Sequence, residues 1–264
     1  MMNLRETHPY HVVDNSPWPI TSSFSALVFA LGLIMKFNHV NYSHISLTLG
    51  IILVTLSAFL WWSDVTIEGT YQGKHSKVVA KGLKIGIILF FVSECCLFAS
   101  FFWAYFHASL SPNIELGSQW PPEGITTIDP FGLPLANLII LLSSGAFLTY
   151  SHEKLLGKDI KEARIGLIIT ILLGATFLGL QLIEFSVAPF SVADGAYGSS
   201  FFILTTCHMA HVIIGTSFLG VALSRLPHYT VAHNLGLEAA IWYWHLVDII
   251  YLFVFGVVYW WGSL

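Results

Sequence analysis

Charge is what this sequence most lacks. Only 10% of its residues are Asp, Glu, Lys or Arg, against roughly 25% in an ordinary soluble domain. With 55% hydrophobic residues and a mean hydropathy of +0.73, too little charge is present to cover a water-facing surface. The chain therefore reads as an integral membrane protein. Cysteine is also scarce. Cys95, Cys96 and Cys207 all lie in apolar runs without CxxC spacing, which argues against a disulfide framework or a cysteine zinc site. They read as small buried hydrophobes. GxSxG, P-loop and GxGxxG-then-helix patterns are missing, so no familiar acyl-transfer, nucleotide or dinucleotide motif is at hand. The N-terminus has neither a basic-then-apolar layout nor an Arg/Ser-rich transit composition, and is expected to carry no removable leader.

What is present is a series of apolar runs long enough to cross a bilayer, for which ~20 residues suffice. Seven helices are expected, at about 18–37, 44–62, 82–107, 133–151, 165–185, 198–223 and 235–261. The implied organisation is an N-terminal arm over 1–16, helices 1 and 2 within 17–62, a polar loop over 63–81 and a five-helix bundle over 82–264. Ser16-Pro17-Trp18-Pro19 is a helix-entry signal: a capping serine, prolines suited to a first turn and an interfacial tryptophan. Of the 11 Lys and Arg residues, only Lys36 falls on the far side of a seven-span arrangement. The others share the side of the arm and of the 2–3, 4–5 and 6–7 loops. That asymmetry places the N-terminus in the positive-inside compartment.

Glu94 lies near the middle of the third run. An ionised carboxylate there costs about 2.5–3.5 kcal/mol or more, so it needs a reason. Ser93, Ser100 and His107 recur every seven residues beside it. Two readings stand: a proton or lipid-headgroup site, or a protonated acid bonded to a neighbouring helix. His208 and His211, and His245 and Asp248, are each spaced i,i+3, with Glu184 and Glu238 as further acids. Di-metal bundles use Glu-x-x-His pairs. No helix here carries one, so interhelical hydrogen bonding is the simpler reading.

Some stretches are specific enough to name a family. They begin with His8-Pro9-Tyr10-His11-Val12-Val13, Trp61-Trp62-Ser63-Asp64-Val65 and Tyr71-Gln72-Gly73-Lys74-His75. Ser93-Glu94, Phe101-Phe102-Trp103-Ala104, Glu115-Leu116-Gly117 and Trp120-Pro121-Pro122 follow. The C-terminal half adds His208-x-x-His211, Trp242-Tyr243-Trp244-His245 and Tyr259-Trp260-Trp261-Gly262. In this order, over nearly the whole chain, they resemble subunit III of cytochrome c oxidase, a haem–copper oxidase. The resemblance implies an all-α membrane protein of seven transmembrane helices, with two N-terminal helices splayed from a five-helix bundle by a lipid-filled cleft. It implies a non-catalytic core subunit that packs on subunit I, with subunit II among its other partners. Haem and copper would belong to partner subunits, this chain binding structural phospholipids and no metal.

By the same resemblance, Trp62, His75, Phe90, Glu94 and Arg225 are expected to line lipid. His8 and His11 are expected near the mouth of a proton-uptake path in subunit I. Ser63 and Ile67 stand where the family usually has basic residues, which removes two phosphate partners at the end of helix 2; His75 with Lys74 or Lys77 can compensate. The implied location is the mitochondrial inner membrane with the N-terminus in the matrix, a bacterial plasma membrane being the alternative. A quinol oxidase subunit, a seven-helix transporter or proton channel using Glu94, Glu184, His245 and Asp248, and a di-metal membrane oxidase are the competing readings.

Overall fold

A computed structural model describes residues 10–114, 117–229 and 234–264. His8, Pro9, Glu115 and Leu116, which figure in the sequence reading, lie outside the described residues. Seven helices follow one another: α1 Trp18–Phe37, α2 Ser43–Thr70, α3 Lys77–Leu110, α4 Leu133–Leu156, α5 Ile160–Val187, α6 Gly195–Ser224 and α7 Leu235–Val254. A π-helical turn, Phe255–Trp260, and a 3-10 turn, Trp261–Ser263, extend α7. Among the described residues there is no strand. All seven helices are long and apolar enough to cross a membrane, as expected.

The ends differ from the sequence reading. Most of the supposed polar loop over 63–81 is helix: α2 continues to Thr70 and α3 already begins at Lys77. Likewise α4 runs on to Leu156 and α5 starts at Ile160. Polar residues mark where a helix leaves the bilayer, not where its hydrogen-bond ladder stops. At ~1.5 Å per residue, the 28 residues of α2 span about 42 Å, more than the ~30 Å hydrocarbon core.

The chain divides into two compact units, Met1–Leu83 and Lys84–Leu264, with the boundary inside α3. In the first unit α1 and α2 form a hairpin. Its turn holds His39 and Tyr42 at φ of 55° and 63°. The buried residues of these helices are Ser25 and Gly32 on α1, and Ser43, Gly50 and Ser57 on α2. Each set repeats every seven residues, two helical turns, and so makes one seam. A Cβ on Gly32 would meet the Leu47 backbone at 2.7 Å, and one on Gly50 would meet Phe29 Cα at 2.5 Å. Only small residues let the two backbones approach this closely, which is how helices associate where lipid removes the hydrophobic drive.

The second unit is ordered around Trp244, which is fully buried. Its indole fits between α5 and α6 because Gly174 and Gly215 leave room: a Cβ would lie 2.7 Å from Cη2 and 2.9 Å from Cε3, respectively. Trp244 Nε1 donates to Ser144 Oγ at 2.8 Å, so the ring is also fixed to α4. Between α4 and α5, Ser151 Oγ donates to Ala163 O at 2.6 Å. Polar Asn137, Gln181, Glu184 and His208 are buried, while Ile139, Leu172, Leu182 and Ile183 face outward. This inside-out distribution suits a surface solvated by acyl chains.

Candidate functional site

In the second unit, Phe90, Glu94 and Phe98 follow one another every fourth residue along one stripe of α3. Glu94 is not alone there. Its Oε2 lies 2.6 Å from His211 Nε2, which α6 supplies. The other ring nitrogen, His211 Nδ1, lies 2.8 Å from Cys207 O. A carbonyl oxygen only accepts, so Nδ1 carries a hydrogen. A neutral ring protonated at Nδ1 has none on Nε2. One proton must therefore sit between Nε2 and the carboxylate, either as an acid O–H donating to nitrogen or as an imidazolium N–H donating to oxygen. Both forms have zero net charge, which is how the bundle tolerates an acid at this depth.

Aromatic rings enclose the pair. Phe98 meets the His211 ring edge-on at 5.0 Å, and Tyr243 stacks over it at 6.3 Å. Phe90 stacks in turn on Tyr243 at 6.2 Å, yet remains 47% exposed. Phe90 thus presents one face to Tyr243 and the rest to whatever surrounds the helix. Nearer the end of α3, Lys84 Nζ lies 2.7 Å from Glu238 Oε2 and 5.9 Å from the Trp242 ring centroid.

Arg225 ends α6 and holds its guanidinium 5.3 Å from the Tyr229 ring centroid. Burial pushes the Tyr229 hydroxyl above its ordinary pKa, and the Arg225 charge opposes that shift. A Cβ on Gly236 would lie 3.1 Å from Tyr229 Oη and 3.5 Å from Arg225 Nη1, so the start of α7 closes over this pair.

Glu184, His208, His245 and Asp248, the other residues singled out by spacing, have separate partners. Glu184 accepts from Tyr259 Oη at 2.5 Å and from Gln181 Nε2 at 3.0 Å. His208 Nε2 donates to Val247 O at 3.1 Å. His245 Nδ1 faces Asp248 on its own helix at 3.5 Å. The i,i+3 spacing of His208 and His211 thus serves two different neighbours.

In the first unit the arm lies along the C-terminal part of α2. Trp18 Nε1 donates to the Asp64 carboxylate, and Lys74 Nζ pairs with Asp14 Oδ2 at 2.5 Å. His11 Nε2 lies 3.3 Å from Glu68 Oε2, and the His11 and His75 rings meet edge-on at 5.3 Å. Trp62 is 69% exposed. The expected lipid set is thus divided: Trp62 and His75 belong to the first unit, Phe90, Glu94 and Arg225 to the second. The sequence reading missed His211 as the partner of Glu94, Lys84 as the partner of Glu238 and Glu68 as the partner of His11. The first two pairs join residues more than a hundred positions apart, and only helix packing brings them together. The spacing Asp64–Glu68, which puts both acids on one face of α2, was the available signal for the third.

Seven apolar helices, an inside-out polarity and a neutralised acid within the bundle define a multi-pass helical membrane protein. The family described as cytochrome c oxidase subunit III matches residues 8–263. Proteins named cytochrome c oxidase subunit 3 are similar along their whole length. The one from Allomyces macrogynus is 53% identical over 98% of this chain and 95% of its own. That from Patiria pectinifera is 50% identical over 97% and 98%, and that from Cyprinus carpio 48% over 98% and 99%. The chain belongs to the cytochrome c oxidase subunit III family.

Proposed function

We propose that the chain works as a non-catalytic core subunit of a cytochrome c oxidase complex in the mitochondrial inner membrane. The match to the family over residues 8–263 carries this reading. The complex oxidises cytochrome c, reduces oxygen and translocates protons, with haem and copper held by partner subunits. This chain packs on subunit I, with subunit II also in the assembly. The excess of Lys and Arg on the side of the arm supports an N-terminus in the matrix.

Its own contribution is structural. The chain holds structural phospholipid. Trp62 and Phe90, both exposed aromatics, suit acyl chains, and Arg225 suits a headgroup phosphate. Glu94 adds a polar but neutral point through His211. His75 is the least suited of the set to phosphate, because Glu68 belongs to the same cluster. His8 and His11 on the arm sustain proton supply or oxygen access in subunit I.

Purification of the tagged chain in mild detergent tests the assignment. Haem, copper, subunits I and II and cytochrome c oxidation should co-elute with it; a chain that elutes without haem overturns the reading. For the lipid role, Trp62→Ala with Phe90→Ala should lower the phospholipid retained per complex. Unchanged retention overturns that part.

A further inference from the structure

One ring nitrogen each of His11 and His75 and a carboxylate oxygen of Glu68 lie within 4.8 Å of one another. Three elements supply them: the arm, the last turns of α2 and the 71–76 turn before α3. We propose that they bind a divalent transition-metal ion of the zinc class, which clips the arm to the α2–α3 turn.

Geometry, ligand chemistry and charge carry the proposal. A tetrahedral ion with bonds of ~2.0–2.1 Å sets neighbouring ligand atoms about 3.4 Å apart. His11 Nε2 and Glu68 Oε2 already stand 3.3 Å apart. Bringing in the His75 nitrogen takes an inward side-chain shift of at most about 1.5 Å. Two imidazoles and one carboxylate suit zinc and its neighbours, whereas calcium and magnesium take oxygen ligands. Glu68 favours a cation over a phosphate. Lys74, the neighbouring positive charge, is paired with Asp14, and positions 63 and 67 are Ser and Ile rather than basic residues.

The fold also holds the three in place without the ion. The contacts of Lys74 with Asp14 and of Trp18, at the start of α1, with Asp64 hold the chain at two points just after His11. Gly69 lets His75 press onto α2: a Cβ there would lie 2.6 Å from His75 Nδ1. Three ligands from the protein leave a fourth position for water.

The test is equilibrium dialysis of the purified full-length chain, in whatever assembly it elutes, against micromolar Zn²⁺ after mild chelation. Zinc is counted per mole of this chain, so the result is separate from the oxidase assignment. The unmodified protein and His39→Gln, a histidine of the α1–α2 turn, should take up one more equivalent than His11→Gln, Glu68→Gln or His75→Gln. Equal uptake in all five overturns the proposal. Because a variant can fail to fold, crystals of the unmodified protein soaked in Zn²⁺ give a second test. An anomalous peak at the zinc edge should contact His11, Glu68 and His75; no peak there at saturating zinc overturns the proposal.

Discussion

Glu94 and His211 hold one proton between them across 2.6 Å, because the far nitrogen of the ring is already committed to Cys207 O. The acid that stood out in the sequence as a cost is, in the fold, half of a neutral pair. That relationship separates two substitutions. Gln at position 94 keeps an amide N–H that can donate to His211 Nε2, so assembly and electron transfer should stay near normal. Leu at position 211 leaves the acid without its partner and should cost about 1–3 kcal/mol. The double variant should cost less than the two single effects added. Thermal denaturation followed by loss of this chain from the complex measures all three. Additivity would contradict the shared proton.

Gly174→Ala and Gly215→Ala drive a methyl into Trp244 and should each destabilise by about 1–3 kcal/mol. Gly179 and Gly220, in the same helices, have nothing within 4 Å of a Cβ. Alanine there should be neutral or slightly stabilising, since glycine costs a helix interior ~1 kcal/mol. Melting temperatures of the four variants in one detergent decide the matter.

The α1–α2 seam should be stricter still. The obstacle at Gly32 and Gly50 is backbone rather than a side chain able to rotate away. Leu at either site should force the hairpin apart, whereas Leu at exposed Phe24 or Ile52 should not. Hydrogen exchange along α1 and α2 in detergent reads this out, as faster exchange only in the seam variants.

Of the two contacts that fix the arm, the indole one should matter more. Asp14 is 82% exposed in its pair with Lys74, and such pairs contribute little and weaken with salt. Trp18→Phe should therefore speed exchange over residues 10–16 more than Asp14→Asn does. The Asp14→Asn effect should disappear at high salt.

Topology reporters inserted after Ser118 and after Gly157 should report opposite sides of the membrane. Gly157 is the right insertion point because α4 ends at Leu156 and α5 begins at Ile160. Both reporters on one side would refute the seven-span path.

The spans were legible because a bilayer imposes a length and a polarity that composition reveals directly. Their ends were not. Residues 63–70 are polar enough to look like loop, yet the helix continues through them into water at no penalty to its hydrogen bonds. Within the spans, Glu94 was visible as an anomaly but its partner was not. The register of α3 against α6 depends on the fit of side chains such as Phe98, which periodicity does not encode. Trp244 illustrates the same limit. Nothing in the run Trp242-Tyr243-Trp244 marks which ring is buried, while the structure buries Trp244 in slots made by Gly174 and Gly215, two residues without side chains.

The neutrality of the Glu94–His211 pair has an electrical consequence. A full charge crossing the membrane changes energy by ~2.3 kcal/mol per 100 mV. Transfer of the shared proton covers less than the 2.6 Å between its two hosts, under a tenth of a ~30 Å hydrocarbon layer. At 100 mV that displacement involves at most about 0.2 kcal/mol. Energising the membrane therefore barely biases where the proton resides, and the pair stays the same fixed polar point whether the respiratory chain is running or idle.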